Sequence, residues 1–169
     1  RTMKTALITG ATSGIGMATA KLFAAKGHRL ILCGRRTERL AELKKELNTE
    51  VHTLTFDVRN REDVFKAIES IPSEFKNIDV LLNNAGNAHG LSTIQDGYMD
   101  DWDAMMDGNV KGLLYVTKAI LPKMIERNRG FIVNIGSVAA KEVYPNGNVY
   151  CASKHAVDAL SKSMRIDLA

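Results

Sequence analysis

The chain has 169 residues, 45% hydrophobic and 25% charged, with a formal net charge of +4. That balance suits one soluble globular domain with a substantial core and excludes a disordered chain. No apolar run approaches the roughly 20 residues that span a bilayer, and no arginine-rich run interleaved with aromatics marks a nucleic-acid binder, so neither a membrane nor nucleic acid is an expected partner.

Thr5-Ala6-Leu7-Ile8-Thr9 reads as a buried strand that stops at glycine. Gly10-Ala11-Thr12-Ser13-Gly14-Ile15-Gly16 follows, and a helix is predicted from Met17 to Lys26 with Gly27 as its C-cap. Arg29 to Cys33 is the second strand, broken by Gly34-Arg35-Arg36. Thr37 is placed to N-cap a helix striped by Leu40, Leu43 and Leu47. Val51 to Phe56 alternates as a third strand and ends at Asp57; Asn60 then caps a helix from Arg61 to about Ile71, closed by Pro72. Ile78 to Leu82 is the fourth strand, followed by Asn83-Asn84-Ala85-Gly86. After a polar stretch from Asn87 to Asp101, a long helix is predicted from about Trp102 to Asn128, kinked or divided at Pro122. Phe131 to Ile135 is the fifth strand, running into Gly136-Ser137, and a last helix carries Tyr150-Cys151-Ala152-Ser153-Lys154. Strands alternating with helices in units of about thirty residues indicate a doubly wound parallel sheet, a single three-layer α/β/α domain over residues 1–169.

The glycine-rich turn lies between a strand and a helix, where a backbone without side chains lets a pyrophosphate approach the amides of a helix N-terminus. Arg35 and Arg36 end the second strand, where such a fold places the adenosine ribose. An acid there would repel a 2′-phosphate, whereas two cations attract it, so the pattern argues for NADP over NAD. The plain alternative is two solvated surface arginines. Asp57 and Asn84 follow strands at the carboxyl edge of the sheet, although each alone also suits a turn. Ser137 ends the fifth strand at the same edge, with a hydroxyl able to bond a substrate oxygen. Tyr150 and Lys154 are four apart on a helix, which puts an ammonium beside a phenol. Such a cation lowers a phenol's pKa from its usual value of about 10 and suits it to proton transfer near neutral pH. In isolation, a Tyr-x-x-x-Lys pair is more often an ordinary polar helix face.

Cys33 and Cys151 have no CxxC spacing, which fits reduced thiols in the cytoplasm. The four histidines lack metal-ligand spacing, and no metal is expected. His155 and Cys151 read as structural, the methionines as core filler, and Asp96, Asp100, Asp101 and Asp103 as a solvated, helix-starting cluster.

Together, Thr9-Gly10-x-x-x-Gly14-Ile15-Gly16, Asn83-Asn84-Ala85-Gly86, Asn109, Ser137 and Tyr150-x-x-x-Lys154 resemble the short-chain dehydrogenase/reductase family along the whole chain, in the family's order and spacing. The resemblance implies a Rossmann fold that binds NADP (NADPH) through Gly10, Thr12, Ser13, Gly14, Ile15, Gly16, Arg35, Arg36, Asp57, Val58, Asn84, Ala85, Gly86, Tyr150 and Lys154. It implies Tyr150 as general base on a substrate hydroxyl, or as acid in the reverse direction, and Lys154 on the nicotinamide ribose. Ser137 would orient the substrate oxygen and Asn109 would hold a relay water. Asp57 and Val58 would meet the adenine and Asn84 the adjoining ribose.

Gly34-Arg35-Arg36-Thr37-Glu38-Arg39-Leu40, Asp57-Val58-Arg59-Asn60-Arg61, Asn77-Ile78-Asp79 and Gly147-Asn148-Val149-Tyr150 are similar to NADP-dependent 3-hydroxy acid dehydrogenases that oxidise serine and L-allo-threonine. Reductases of 3-oxoacyl thioesters share much of this pattern and are the alternative. The expected substrate is thus a small 3-hydroxy acid such as serine, L-allo-threonine or 3-hydroxypropionate. The family's pairing of the Asn109 and Tyr150 helices between subunits implies a homotetramer. Family members are longer, with a sixth strand beside the fifth, a substrate-covering loop and a seventh strand. On that pattern this chain is expected to be a fragment with one unpaired sheet edge, which also leaves open a module that binds NADP without turnover.

Overall fold

Short apolar runs bounded by glycine or polar turns make the strands, and the amphipathic stretches between them make the helices. The computed structural model describes residues 2–136 and 142–169. Its strands are β1 (Thr5–Ile8), β2 (Arg29–Gly34), β3 (Val51–Thr55), β4 (Val80–Asn83) and β5 (Phe131–Asn134). They form one parallel sheet in the order β3-β2-β1-β4-β5. The helices are α1 (Gly14–Ala25), α2 (Thr37–Glu46), α3 (Arg61–Glu69), α4 (Met99–Met106), α5 (Gly112–Glu126) and α6 (Asn148–Asp167). The chain winds outward from β1 to β3, then returns to add β4 and β5 on the other side. The loops leaving β1 and β4 therefore diverge, and a crevice opens at their carboxyl ends.

Alternation along the strands sorts the core into two layers. Ala6 and Ile8 of β1 join Leu30, Leu32 and Leu82, against Ala20 and Ala24 of α1 and Leu40 and Leu43 of α2. Leu7 joins Ile31, Leu54 and Leu81 on the opposite face, against Val64 of α3 and Val116 and Ile120 of α5. Burial on both faces is why β1 reads as a continuous apolar run rather than an alternating one. On β5, by contrast, Phe131 and Val133 are exposed, and its far side has no partner strand among the described residues.

Several boundaries differ from those read in the sequence. Thr37 is not a cap: Arg36 occupies the extended N-cap position, and the Thr37 hydroxyl pairs with that of Thr55 at 3.0 Å. A tertiary contact with β3 has taken the hydroxyl from its local role. Helix α1 begins at Gly14 rather than Met17, so the glycine turn itself supplies the first turn. Pro122 does not divide the long helix; it lies within α5. The α-helical ladder is interrupted earlier, by a π-helical turn at Asp107–Lys111 between α4 and α5. Asn60 does cap α3, accepting from the Asp63 amide at 3.1 Å, and Gly27 takes the positive φ of +79° expected after α1.

At the amino edge of the sheet, Asp79 ties three segments together. Its carboxylate accepts from the Thr5 amide at 3.0 Å and from Arg127 Nη2 at 3.0 Å, with Arg129 Nε at 3.3 Å. Arg127 also donates to the Ile78 carbonyl. The Asp79 side chain is 9% exposed, so these bonds replace water almost entirely.

Candidate active site

The crevice begins with the turn after β1. Thr9 is buried, and its hydroxyl oxygen accepts from the amides of Asn84 and Ala85, each at 3.0 Å. Asn84 Nδ2 in turn donates to the Gly10 carbonyl at 3.0 Å. These bonds fasten the glycine turn to the end of β4. Gly16 allows helix α1 to come this close, because a Cβ there would overlap the Gly10 carbonyl and the Asn84 amide. Gly14 has a φ of +55°, and a Cβ on it would meet nothing within 4 Å. Ser13 makes no side-chain cap bond, and the first turn of α1 carries no acid. Open space thus meets uncapped helix amides, which suits an approaching phosphate.

From this turn a groove of about 250 Å3 runs past Gly34, Asp57 and Asn84. Four arginines line it, Arg35, Arg36, Arg39 and Arg59, against the single carboxylate of Asp57. Asp57 is itself engaged. Arg59 Nη2 donates to Oδ2 at 2.7 Å, Arg59 Nε lies 3.1 Å from both oxygens, and the Arg59 amide donates at 2.9 Å. Burial acts to raise the Asp57 pKa, but the bonds and charge of Arg59, helped by Arg35, outweigh it and hold the carboxyl below its ordinary range. The remaining guanidinia leave the groove cationic. Uncapped amides at one end and arginines without a salt bridge among the described residues along one wall fit a dinucleotide carrying an extra phosphate.

Beyond the groove stands α6. Tyr150 and Lys154 share one face of it, and Lys154 Nζ lies 5.9 Å from the centroid of the Tyr150 ring. Burial lowers the Lys154 pKa. The charged form is therefore favoured in the unfolded chain, and the penalty is fully present at neutral pH. It fades as pH rises through the folded pKa towards the ordinary value of 10.5. Lys154→Met is accordingly expected to raise the melting temperature at pH 7, with the gain vanishing above that ordinary value. Thermal melts of both proteins across pH check this, and a lower melting temperature for Lys154→Met at pH 7 would contradict it.

Asn109 lies in the π-helical turn, 2% exposed. Its Nδ2 donates to the Asn87 carbonyl at 3.2 Å and to Ser153 Oγ at 3.0 Å. A Cβ on Gly86 would overlap the Asn109 amide, which is why that loop position is glycine. The structure thus gathers Gly10, Thr12, Ser13, Arg35, Arg36, Asp57, Val58, Asn84, Ala85 and Gly86 around the groove. Gly14, Ile15 and Gly16 form the adjoining first turn of α1. Tyr150 and Lys154 stand outside the groove lining, linked to it through Asn109 and Asn87. Ser137 lies outside the described residues. Sequence reasoning assigned no site role to Thr9, Arg39, Arg59 or Ser153. Arg39 and Arg59 had a usable signal: one lies in the first turn of the helix that follows Arg35 and Arg36, the other two residues after Asp57. His155 Nδ1 pairs with the Cys151 carbonyl at 2.7 Å, in keeping with a structural role. Among the described residues, no group of three His, Cys, Asp or Glu side chains could hold a metal ion, and no helix is long and apolar enough to cross a membrane.

Comparison with known proteins gives the same picture. The family model described as short chain dehydrogenase matches residues 4–169. The NADP-dependent 3-hydroxy acid dehydrogenase of Salmonella typhi is 49% identical over 162 residues, covering 96% of this chain and 65% of that protein. Sulfoacetaldehyde reductase 2 of Chromohalobacter salexigens is 48% identical over 165 residues, covering 96% of this chain and 66% of its own length. Among solved structures, the closed form of a serine dehydrogenase complexed with NADP+ superposes with a TM-score of 0.95 at 46% identity, covering 97% of this chain and 66% of that one. The chain thus spans about two thirds of the length of these relatives.

Proposed function

Because the chain belongs to the short-chain dehydrogenase family, we propose that it is the nucleotide-binding and proton-transfer portion of an NADP-dependent oxidoreductase acting on a small 3-hydroxy acid. The observation that carries this reading is the Tyr150–Lys154 pair on α6, tied through Asn109 to a cationic groove. When bound, the cofactor supplies a hydride acceptor or, in the reverse direction, a donor. Tyr150 takes the proton from the substrate hydroxyl, or returns it to a carbonyl oxygen. Lys154 presents its ammonium to the ribose hydroxyls and to the phenol. Ser137 bonds the substrate oxygen, and Asn109 holds the turn that meets α6. The uncapped amides of α1 receive the pyrophosphate, and Arg35 and Arg36 bind the 2′-phosphate.

The named relatives act on a 3-hydroxy acid, on serine or on sulfoacetaldehyde. Each carries a carboxylate or a sulfonate, which supports a substrate with such a group here. The test is absorbance at the NADPH band with serine, L-allo-threonine and 3-hydroxypropionate. Turnover of at least one is expected. Turnover of a 3-oxoacyl thioester and of none of these reassigns the enzyme, and NADP binding without hydride transfer to any of them marks a binding module. Leu114 of α5 and Leu168, the residue after α6, are exposed, apolar surface in keeping with the homotetramer we propose through these helices.

Cofactor choice has its own check. Arg35→Ala is expected to weaken NADP binding by roughly 10- to 100-fold, the worth of a charge-assisted bond, while NAD changes little. Titration of both cofactors reads this, and equal losses would show that Arg35 does not sense the 2′-phosphate.

A further inference from the structure

Ser153 makes two hydrogen bonds that join different parts of the site. Its side chain is fully buried, at 0% exposure. The hydroxyl donates its one proton to the Tyr150 carbonyl at 2.7 Å, within the turn that holds the catalytic pair. A serine bonded back to its own helix is ordinary. What is not ordinary is the second partner, since the same oxygen accepts from Asn109 Nδ2, 44 positions away on the π-helical turn.

With its proton committed to Tyr150, Ser153 can only accept from Asn109. The other hydrogen of that amide goes to the Asn87 carbonyl, also an acceptor. Two acceptors on the nitrogen side fix the orientation of the amide, because a flipped Asn109 would set its oxygen against both. The consequence is visible on the other side, where Asn109 Oδ1 is buried without a hydrogen-bond partner among the described residues. Asn87 belongs to the groove lining. A short polar chain thus runs from the Tyr150 backbone through Ser153 and Asn109 to the wall where the cofactor would lie.

We propose that Ser153 is a positioning residue: its hydroxyl, shared between the Tyr150 carbonyl and the Asn109 amide, sets where the Tyr150–Lys154 pair stands against the groove. The proposal rests on the oxidoreductase reading for its effect on rate, but not for the contact itself. Ser153→Ala removes the link and leaves every group that touches substrate or cofactor. Its kcat is expected to fall by roughly tenfold or more, as small displacements of reacting groups do, with KM for NADP within about twofold. Because Ser153 acts through Asn109, the Ser153→Ala/Asn109→Ala double variant should be no slower than Asn109→Ala alone. Hydrogen exchange supplies a readout free of turnover: in Ser153→Ala, amides of Asp107–Lys111 exchange roughly tenfold faster or more, while those of β1 and β2 do not change. An unchanged kcat in Ser153→Ala, additive losses in the double variant, or unchanged exchange in the π-helical turn each overturns the proposal. If the unsubstituted protein has no turnover, the oxidoreductase reading fails, and the exchange result alone decides the role of Ser153.

Discussion

Tyr150→Phe is expected to lower turnover by roughly 100- to 10,000-fold, the range over which a positioned acid–base group acts. The substitution removes one oxygen and keeps the ring. Lys154 Nζ, 5.9 Å from the ring centroid, therefore retains its aromatic neighbour, and α6 keeps its packing. The Tyr150 backbone carbonyl, which accepts from Ser153, is untouched. NADP affinity should accordingly stay within about twofold, because the groove proposed to hold the adenosine end lies outside α6. Single-turnover kinetics beside a cofactor titration separates the two quantities. Residual turnover near that of the unsubstituted protein would mean that another group carries the proton.

The largest loss of stability is expected at the opposite edge of the sheet. Asp79→Ala removes the acceptor of the Thr5 amide and the counter-charge of Arg127, and Arg129 loses its partner as well. The loss is expected to be about 3 kcal/mol, because the buried Thr5 amide is left without its acceptor and the three-quarters-buried Arg127 without its counter-charge. For a chain of this size that is a fall in melting temperature of roughly 6–12 °C. Asp79→Asn keeps oxygen for the Thr5 amide and loses only the charge, so its fall should be smaller. Thermal and denaturant melts of both variants measure the difference. Equal and small losses would show that the arginines are adequately solvated without the acid. Turnover at low temperature should survive Asp79→Ala, since no contact of Asp79 reaches the groove.

The strands, the glycine turn and the Asn60 cap were readable because each depends on neighbouring residues. Apolar runs mark the buried strands, and an asparagine before a helical pattern finds the Asp63 amide three residues on. The features that were not readable are those whose partner lies far along the chain. Nothing near Thr37 announces that Thr55 will take its hydroxyl. The Asp79 tie spans 74 residues to Thr5 and 48 to Arg127, so the sequence shows only an acid within a strand pattern. The π-helical turn was hidden for a different reason: one widened turn leaves the apolar pattern on either side intact, while Pro122, the conspicuous helix breaker, is accommodated. Around the groove, the residue types and their order did show which backbone turns meet, since Gly10, Arg35, Asp57 and Asn84 all line it. The coupling between side chains was not readable, as Ser153 illustrates from inside the very pentapeptide that drew attention.

The strands β1 and β4 are each only four residues long, about 13 Å from end to end. That length exceeds the range over which substitutions usually interfere with one another, about 7–10 Å. Free-energy changes made at the Asp79 end and at the glycine-turn end should therefore sum. An engineer could treat the two rims as separate dials, raising thermal tolerance at one and altering cofactor preference at the other, and test combinations without rescreening every pair.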